Sequence, residues 1–392
     1  MDKVRALSIK GRSRSRSTSR RKKIKMKNID YSLLCAILVL LVIGIIMVYS
    51  SSSYYALYQK DVYNSDFYFF KEITWSVVGI IGMLVTMSID YHIYKRWTPW
   101  IVLITLGLLV VVLFAGADIN GAVRWIRLGP LSFQPSELAK YVVVLYLALL
   151  IDQRKGKIKK FAEGTIFYLA IAGVFALLIL LEKNLSITAI VMMVAFVMIL
   201  AGGAKISHLL SLIPMGLAAG MGLIFIESYR LKRLTSFLNP WADTSGDSYQ
   251  LIQSLYALGS GGLFGVGLGN SRQKALFMPE PHNDFIFAII GEELGLIGCI
   301  FIICLFIFIA IKGTSIAVKA RDNYGYLLAI GIISVISIQA IINIAVVTGS
   351  MPVTGVPMPL ISYGGTSLVF NLSAIGILLN ISRQGKEEEL NW

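Results

Sequence analysis

The chain has 392 residues, 56% of them hydrophobic and only 15% charged, with a net charge of +14. Soluble domains average roughly 45–50% apolar and about 25% charged. The apolar residues here are gathered into blocks of about twenty, the length that crosses a bilayer as helix, which excludes a soluble globular enzyme, a disordered chain and a disulfide scaffold.

The first thirty residues carry twelve of the lysines and arginines against Asp2 and Asp30, so most of the net charge belongs to a tail. Its Arg-Ser run from Arg12 to Arg20 abuts the first apolar block. A basic arm in that position adheres to anionic membrane lipid and fixes orientation, so membrane lipid and not nucleic acid is its expected partner. With few apolar residues and strong like-charge repulsion, the tail 1–30 is expected to be disordered. The apolar run that starts near Tyr31 is too long for a cleavable signal peptide.

Ten apolar blocks follow, at about 31–51, 68–89, 99–116, 136–151, 163–182, 185–202, 207–227, 284–312, 325–348 and 367–383. Because lipid offers no partner for backbone polar groups, all are expected to be helices. The predicted fold is therefore an all-α integral membrane protein: ten transmembrane helices in a domain 31–383, a large extracytoplasmic loop 228–283 between spans 7 and 8, and a C-terminal tail 384–392. An even span count puts both termini on one side. That side carries 25 of the 36 lysines and arginines, which by the positive-inside rule makes it cytoplasmic. No internal repeat suggests an inverted-repeat transporter. Cys35, Cys299 and Cys304 lie in apolar stretches without metal-ligand spacing and read as small packing residues.

The outer face then holds three unusual segments, 117–135, 228–283 and 349–366, and function is expected there. The first contains Arg124 and Arg127, cations that could contact a phosphate. Just beyond it, Glu137 and Lys140 are three residues apart on one helix, a spacing that permits either a structural ion pair or the lining of a polar cavity.

The second segment carries Arg230, Lys232, Arg233, Arg272 and Lys274 on the face that should be depleted of cations. They read either as a solvated cluster or as an anion site at headgroup depth beside Trp241, suited to a lipid-linked phosphate or pyrophosphate. Between the clusters, Tyr249 to Leu258 predicts an amphipathic interfacial helix with Leu251, Ile252, Leu255 and Tyr256 on its apolar face. The glycines from Gly259 to Gly269 lack the setting of a nucleotide loop and read as flexible backbone against headgroups or substrate.

Asp284 opens the eighth span after Pro279-Glu-Pro-His-Asn283, and reads as a helix cap or as a general base at the mouth of a cavity, with His282 beside it. Glu292 and Glu293 lie deeper in the same span, and one or the other is expected to pair with another polar group of the bundle. The last outer segment, Met351 to Thr366, has too many prolines and glycines for regular helix, and is expected to be a re-entrant loop shielded by protein or lining a cavity.

These segments, in this order on ten spans, resemble the SEDS family of bacterial cell-wall proteins (shape, elongation, division and sporulation) over roughly residues 30–385. The resemblance rests on Tyr229-Arg-Leu-Lys-Arg-Leu to Asn239-Pro-Trp, Gln253-Ser-Leu-Tyr-Ala-Leu-Gly-Ser-Gly-Gly-Leu-Phe-Gly-Val-Gly-Leu-Gly, Pro279-Glu-Pro-His-Asn-Asp-Phe-Ile-Phe-Ala and Pro359-Leu-Ile-Ser-Tyr-Gly-Gly-Thr-Ser. Arg230-Leu-Lys-Arg and Asn270-Ser-Arg-Gln-Lys are more similar to the division and sporulation branch (FtsW or SpoVE) than to the elongation branch (RodA).

The resemblance implies a peptidoglycan glycosyltransferase of the bacterial cytoplasmic membrane. It would polymerise lipid II beside a class B penicillin-binding protein and other division or sporulation proteins. The family's proposed catalytic aspartate falls on Asp284. Arg230, Lys232, Arg233, Arg272 and Lys274 are then candidates for the pyrophosphate, with Arg124, His282, Glu137 and Lys140 as further substrate contacts. A divalent cation, Mg or Mn, is compatible with this chemistry, but the outer segments show no Asp-x-Asp pair to hold one tightly, and no metal ligand is assigned. Two positions depart from the family pattern: Asn283 stands where threonine is usual, and Glu182-Lys183-Asn184 where a Gln-Pro-Asp run is common. A lipid II transporter and a non-catalytic scaffold for the transpeptidase are the alternative functions.

Overall fold

The computed structural model describes residues 28–385 except 60, 61, 120, 121, 129, 130, 243, 245, 247 and 276. The expected disordered tail and nearly all of the C-terminal tail lie outside the described residues.

Twelve α-helices are present among the described residues. The first three are α1 (Tyr31–Tyr58), α2 (Phe67–Ser88) and α3 (His92–Ala115). Next come α4 (Pro135–Gln153), α5 (Phe167–Leu181, entered through a π-helical turn Phe161–Ile166), α6 (Leu185–Ala201) and α7 (Ile206–Ile226). The remainder are α8 (Ser228–Leu238), α9 (Tyr249–Gly261), α10 (Ile286–Val318), α11 (Asn323–Val347) and α12 (Gly365–Arg383). Eight helical segments are long and apolar enough to cross a membrane, which makes this a multi-pass membrane protein. The other two predicted spans are also helical. They are α6, of 17 residues, and α4, which contains Glu137, Lys140 and Asp152.

The all-α expectation needs correction. Segment 117–135 forms a three-stranded antiparallel sheet, β1 (Ala117–Ile119), β2 (Ala122–Leu128) and β3 (Leu131–Phe133), in the order β1-β2-β3. Ala-Val-Arg-Trp-Ile-Arg-Leu is rich in β-branched and aromatic side chains, which favour a pleated, half-buried surface. The sheet carries Arg124 toward the loop that ends α5, where its guanidinium donates to the carbonyls of Glu182 (3.2 Å) and Lys183 (2.5 Å).

Loop 228–283 is likewise more structured than expected, with α8 and α9 inside it. The amphipathic helix is present as α9, but its inward face is Leu251, Ile252, Ser254 and Ala257, while Tyr256 is exposed. Rather than resting on lipid alone, α9 packs on α10 and α11, and Ser254 donates to the Val347 carbonyl at 2.7 Å.

The eighth span contains a break. At Gly295 the backbone of α10 turns to φ +68°, ψ −168°, a conformation open to glycine and costly for other residues. The glycine run fills the break: the N–H groups of Val266 and Gly267 donate to the carbonyls of Glu292 and Glu293, and those of Leu296 and Ile297 to Gly262 and Leu263. A Cβ on Gly265 would lie 2.2 Å from the Glu293 carbonyl oxygen. This run therefore packs inside the protein against α10, and replaces the helical hydrogen bonds that the break removes.

The most deeply buried helices, α4, α11 and α12, form the centre of the bundle. At the end of α4 remote from the sheet, Lys95 joins Asp152 (2.9 Å) to Asp322 (3.4 Å) and so ties α3 to α4 and α11. By contrast α7 buries only Leu209 and stands against the others along one edge.

Candidate functional site

Two adjoining cavities open among the sheet, α8 and the re-entrant loop. The larger, about 400 Å³, is polar: Asp284, Glu280, Asn283, Glu137 and Gln339 line it together with Trp75, Trp125 and Tyr363. The smaller, about 250 Å³, combines Arg124, Lys183, Arg230 and Arg233 with an apolar wall that includes Ile224, Leu234 and Ile342. Arg124, Asn184, Thr354 and Gly355 border both, so an extended molecule can occupy the two at once.

Asp284 precedes α10 but does not cap it; the cap position is Phe285, without a side-chain hydrogen bond. Its carboxyl instead faces the polar cavity. Phe285, Ile286 and Phe287 are buried behind it. Asn343 of α11 anchors the segment by donating from Nδ2 to the Asp284 carbonyl (2.7 Å) and to the Val356 carbonyl (2.8 Å). Burial pushes the Asp284 carboxyl up to about 6, with Glu280 adding to the rise and Arg233 opposing it. A carboxylate so tuned takes up a proton more readily than an ordinary aspartate, which suits a general base working near neutrality.

Glu137 and Lys140 form the expected ion pair, at 2.8 Å, and Lys140 also donates to Gln339 (3.0 Å). Glu137 and Gln339 line the polar cavity while Lys140 holds them from behind, so the pair and the cavity-lining readings both describe it. The re-entrant loop has no regular structure from 351 to 358. Its Val356, Met358, Leu360 and Ile361 are buried, and its Met351–Gly355 stretch lines the cationic cavity.

Of the five predicted cations in 228–283, two reach the cavities. Arg230 is buried and donates to the Leu223 carbonyl at 2.9 Å; exposed Arg233 donates to the Val353 carbonyl at 3.1 Å. Lys232 and Arg272 are exposed and line neither cavity. Lys274 is 2% exposed and bound to Glu293 (2.7 Å) and Ser50 (2.8 Å), so a phosphate could meet it only after that pair opened. The same network satisfies the two glutamates of α10: Glu293 accepts from Ser50 and Lys274, and Glu292 from the Ser271 hydroxyl and the Arg272 and Gln273 N–H groups.

His282 also lies off the cavities. It is buried among Tyr68, Tyr55 and Tyr363, with ring centroids 4.3, 5.3 and 5.6 Å away, and burial pushes its imidazole down to about 3. The neutral ring is a packing element that steadies the turn before Asp284, its carbonyl accepting from the Tyr363 N–H at 2.9 Å. Among the described residues no three His, Cys, Asp or Glu side chains converge as a metal set.

Several lining residues were not singled out in the sequence: Gln339, Thr354, Trp75 and Trp125, while Tyr229 and Lys183 were named there without a contact to substrate. A usable signal existed for Gln339 and for the anchor Asn343, since amides within an apolar span are expensive unless they bind something.

Known proteins show the same pattern along nearly the whole chain. Stage V sporulation protein E of Bacillus subtilis (strain 168) is 43% identical over 364 residues, 92% of this chain and 99% of that protein. A protein named probable peptidoglycan glycosyltransferase FtsW, from Geobacter sp. (strain M18), is 39% identical over 91% of this chain and 98% of its own length. Among solved structures, a chain of a peptidoglycan synthase complex superposes with a TM-score of 0.75 at 24% identity, covering 91% of this chain and 98% of that one. Thermus thermophilus rod shape determining protein RodA superposes with a TM-score of 0.66 at 24% identity, covering 92% of this chain and 98% of that one. Both show the shared fold. The profile described as "Cell cycle protein" matches residues 31–387, and with relatives this similar along their full length the chain belongs to the FtsW/RodA/SpoVE family.

Proposed function

We propose that this protein is a peptidoglycan glycosyltransferase that polymerises lipid II into glycan strands at the outer face of the bacterial cytoplasmic membrane. The observation that carries the reading is the shared wall between a cavity holding a raised carboxylate and a cavity holding cations against apolar side chains. The polymerase names of the similar proteins support it.

In the reaction, an acceptor sugar hydroxyl attacks the anomeric carbon of the donor, a new glycosidic C–O bond forms, and the C–O bond to polyprenyl pyrophosphate breaks. Asp284 takes the hydroxyl proton. Arg124, Arg230 and Arg233, with Lys183, offer charge-assisted donors to the pyrophosphate, which is already anionic in the bound donor. The apolar wall below them, formed partly by Ile224 of the lightly packed α7, suits the adjoining isoprenoid.

The reading includes ten transmembrane spans, α4 and α6 among them, with both termini cytoplasmic so that the cavities face outward. It also includes a class B penicillin-binding protein as partner, supported by the similarity to a chain from a complex that coordinates polymerization and crosslinking. Further partners among division or sporulation proteins belong to the same proposal.

Purified protein supplied with lipid II in detergent tests the function. Glycan chains support it; transfer of lipid II across sealed vesicles without chains favours a transporter, and the absence of both chains and transfer favours a scaffold. A narrower prediction concerns Arg233. Loss of one charge-assisted contact is worth about 1.5–3 kcal/mol, so Arg233→Ala is expected to raise the KM for lipid II by roughly tenfold or more, with kcat less affected. Steady-state kinetics read this directly. An unchanged KM would restrict Arg233 to tying α8 to the re-entrant loop through Val353.

A further inference from the structure

One carboxylate of the polar cavity has no part in the chemistry so far. Glu280 lies four residues before Asp284 and lines the same cavity. Its side chain is exposed, yet it is not loose: Asn283 Nδ2 donates to Glu280 Oε2 at 2.8 Å, and the Asn283 N–H donates to the Glu280 carbonyl at 3.1 Å. Its backbone is held at φ +45°, in the left-handed region that glutamate avoids, between Pro279 and Pro281. Strain of this kind persists only where the surroundings over-determine it, and it gathers at functional sites. Here the turn aims a second carboxylate into the cavity of the first.

We propose that Glu280 is a positioning residue that acts through Asp284: pinned by Asn283, it holds a second negative charge on the wall of the cavity into which the base opens. The inference rests on the reading of Asp284 as the base. A like charge sharing a site disfavours ionisation, so a base with a carboxylate in the same cavity holds its proton more tightly. The direction agrees with the raised Asp284 carboxyl, to which Glu280 contributes.

The other groups around this pair leave room for such an effect. Arg233 of α8 opposes it from the cationic cavity, and Arg124 of β2 stands at the boundary between the cavities. On α4, Glu137 is neutralised by Lys140, while His282 is neutral. Tyr55 of α1 and Tyr68 of α2 lie within electrostatic reach of Glu280. The tether depends on the Asn283 side-chain amide, whose Nδ2 makes the bond to Glu280.

The test is the pH profile of lipid II polymerisation by the full-length protein in detergent, for wild type, Glu280→Gln, Asn283→Ala and Asp284→Asn. Wild type should lose activity below about 6. In Glu280→Gln the midpoint should move down by about half a pH unit or more, and the plateau should fall about two- to threefold as the base weakens. Asn283→Ala, which frees Glu280 to turn outward, should shift the midpoint the same way by less. A midpoint is independent of how much enzyme is folded, and thermal melts of each variant check the fold separately. If Asp284→Asn is inactive but Glu280→Gln keeps the wild-type midpoint, or changes only the KM for lipid II, the role given to Glu280 is overturned while the base stands. If Asp284→Asn retains activity and the same acid limb, the base reading itself fails, and this inference with it.

Discussion

Asp284→Asn is expected to lower polymerisation by roughly 100-fold or more, the usual scale for losing a general base. The amide keeps the size of the carboxyl, and the anchor from Asn343 holds the backbone carbonyl, so position should survive where basicity does not. In wild type the active form is the carboxylate. With the group raised to about 6, the rate should fall about tenfold per unit on the acid side and level off above that value.

The stability effect has the opposite sense. A carboxyl raised above its ordinary value binds a proton more tightly when folded than when unfolded, so its contribution to stability declines as pH rises from about 4 to 6. At pH 7 the charged Asp284 is a burden on the fold, and Asp284→Asn should melt no lower than wild type. Kinetics and melting together make the check, and an Asn variant within about threefold of wild-type activity would end the assignment.

Lys274→Met should act the other way, on the fold. Lys274 and Glu293 are both essentially buried and paired at 2.7 Å, so removing the cation leaves a carboxylate inside without its partner. Breaking such a pair from one side is typically worth about 3–5 kcal/mol. The variant should melt well below wild type, and excess lipid II should not restore activity per molecule. Lys274→Met with Glu293→Gln should recover much of the loss, because neither side is then left charged; the double-mutant cycle measures the coupling. A normal melting point with a raised KM would instead return Lys274 to the substrate.

What the sequence determined by itself was local. The helices of the apolar blocks were legible because the requirement that every backbone group be satisfied in lipid acts on each twenty-residue block separately. Glu137 and Lys140 were legible as a pair because helix geometry alone brings residues three apart together. The prolines and glycines of the last outer segment excluded helix on backbone grounds, and the loop lines both cavities.

Tertiary structure decided whatever depended on partners distant in the chain. Nothing near Lys274 in sequence says whether it faces a phosphate or Glu293 and Ser50; that choice was made by α1 and α10 closing around it. The break at Gly295 was hidden because an isolated glycine is tolerated in an apolar helix, and it became a break only where the Gly262–Gly267 backbone supplied replacement hydrogen bonds. Asp284 became a candidate base for the same reason. Its sequence position allowed a cap, and it was the fold that held its backbone through Asn343, opened its carboxyl onto the polar cavity and, by burial and the charge of Glu280, raised its affinity for a proton.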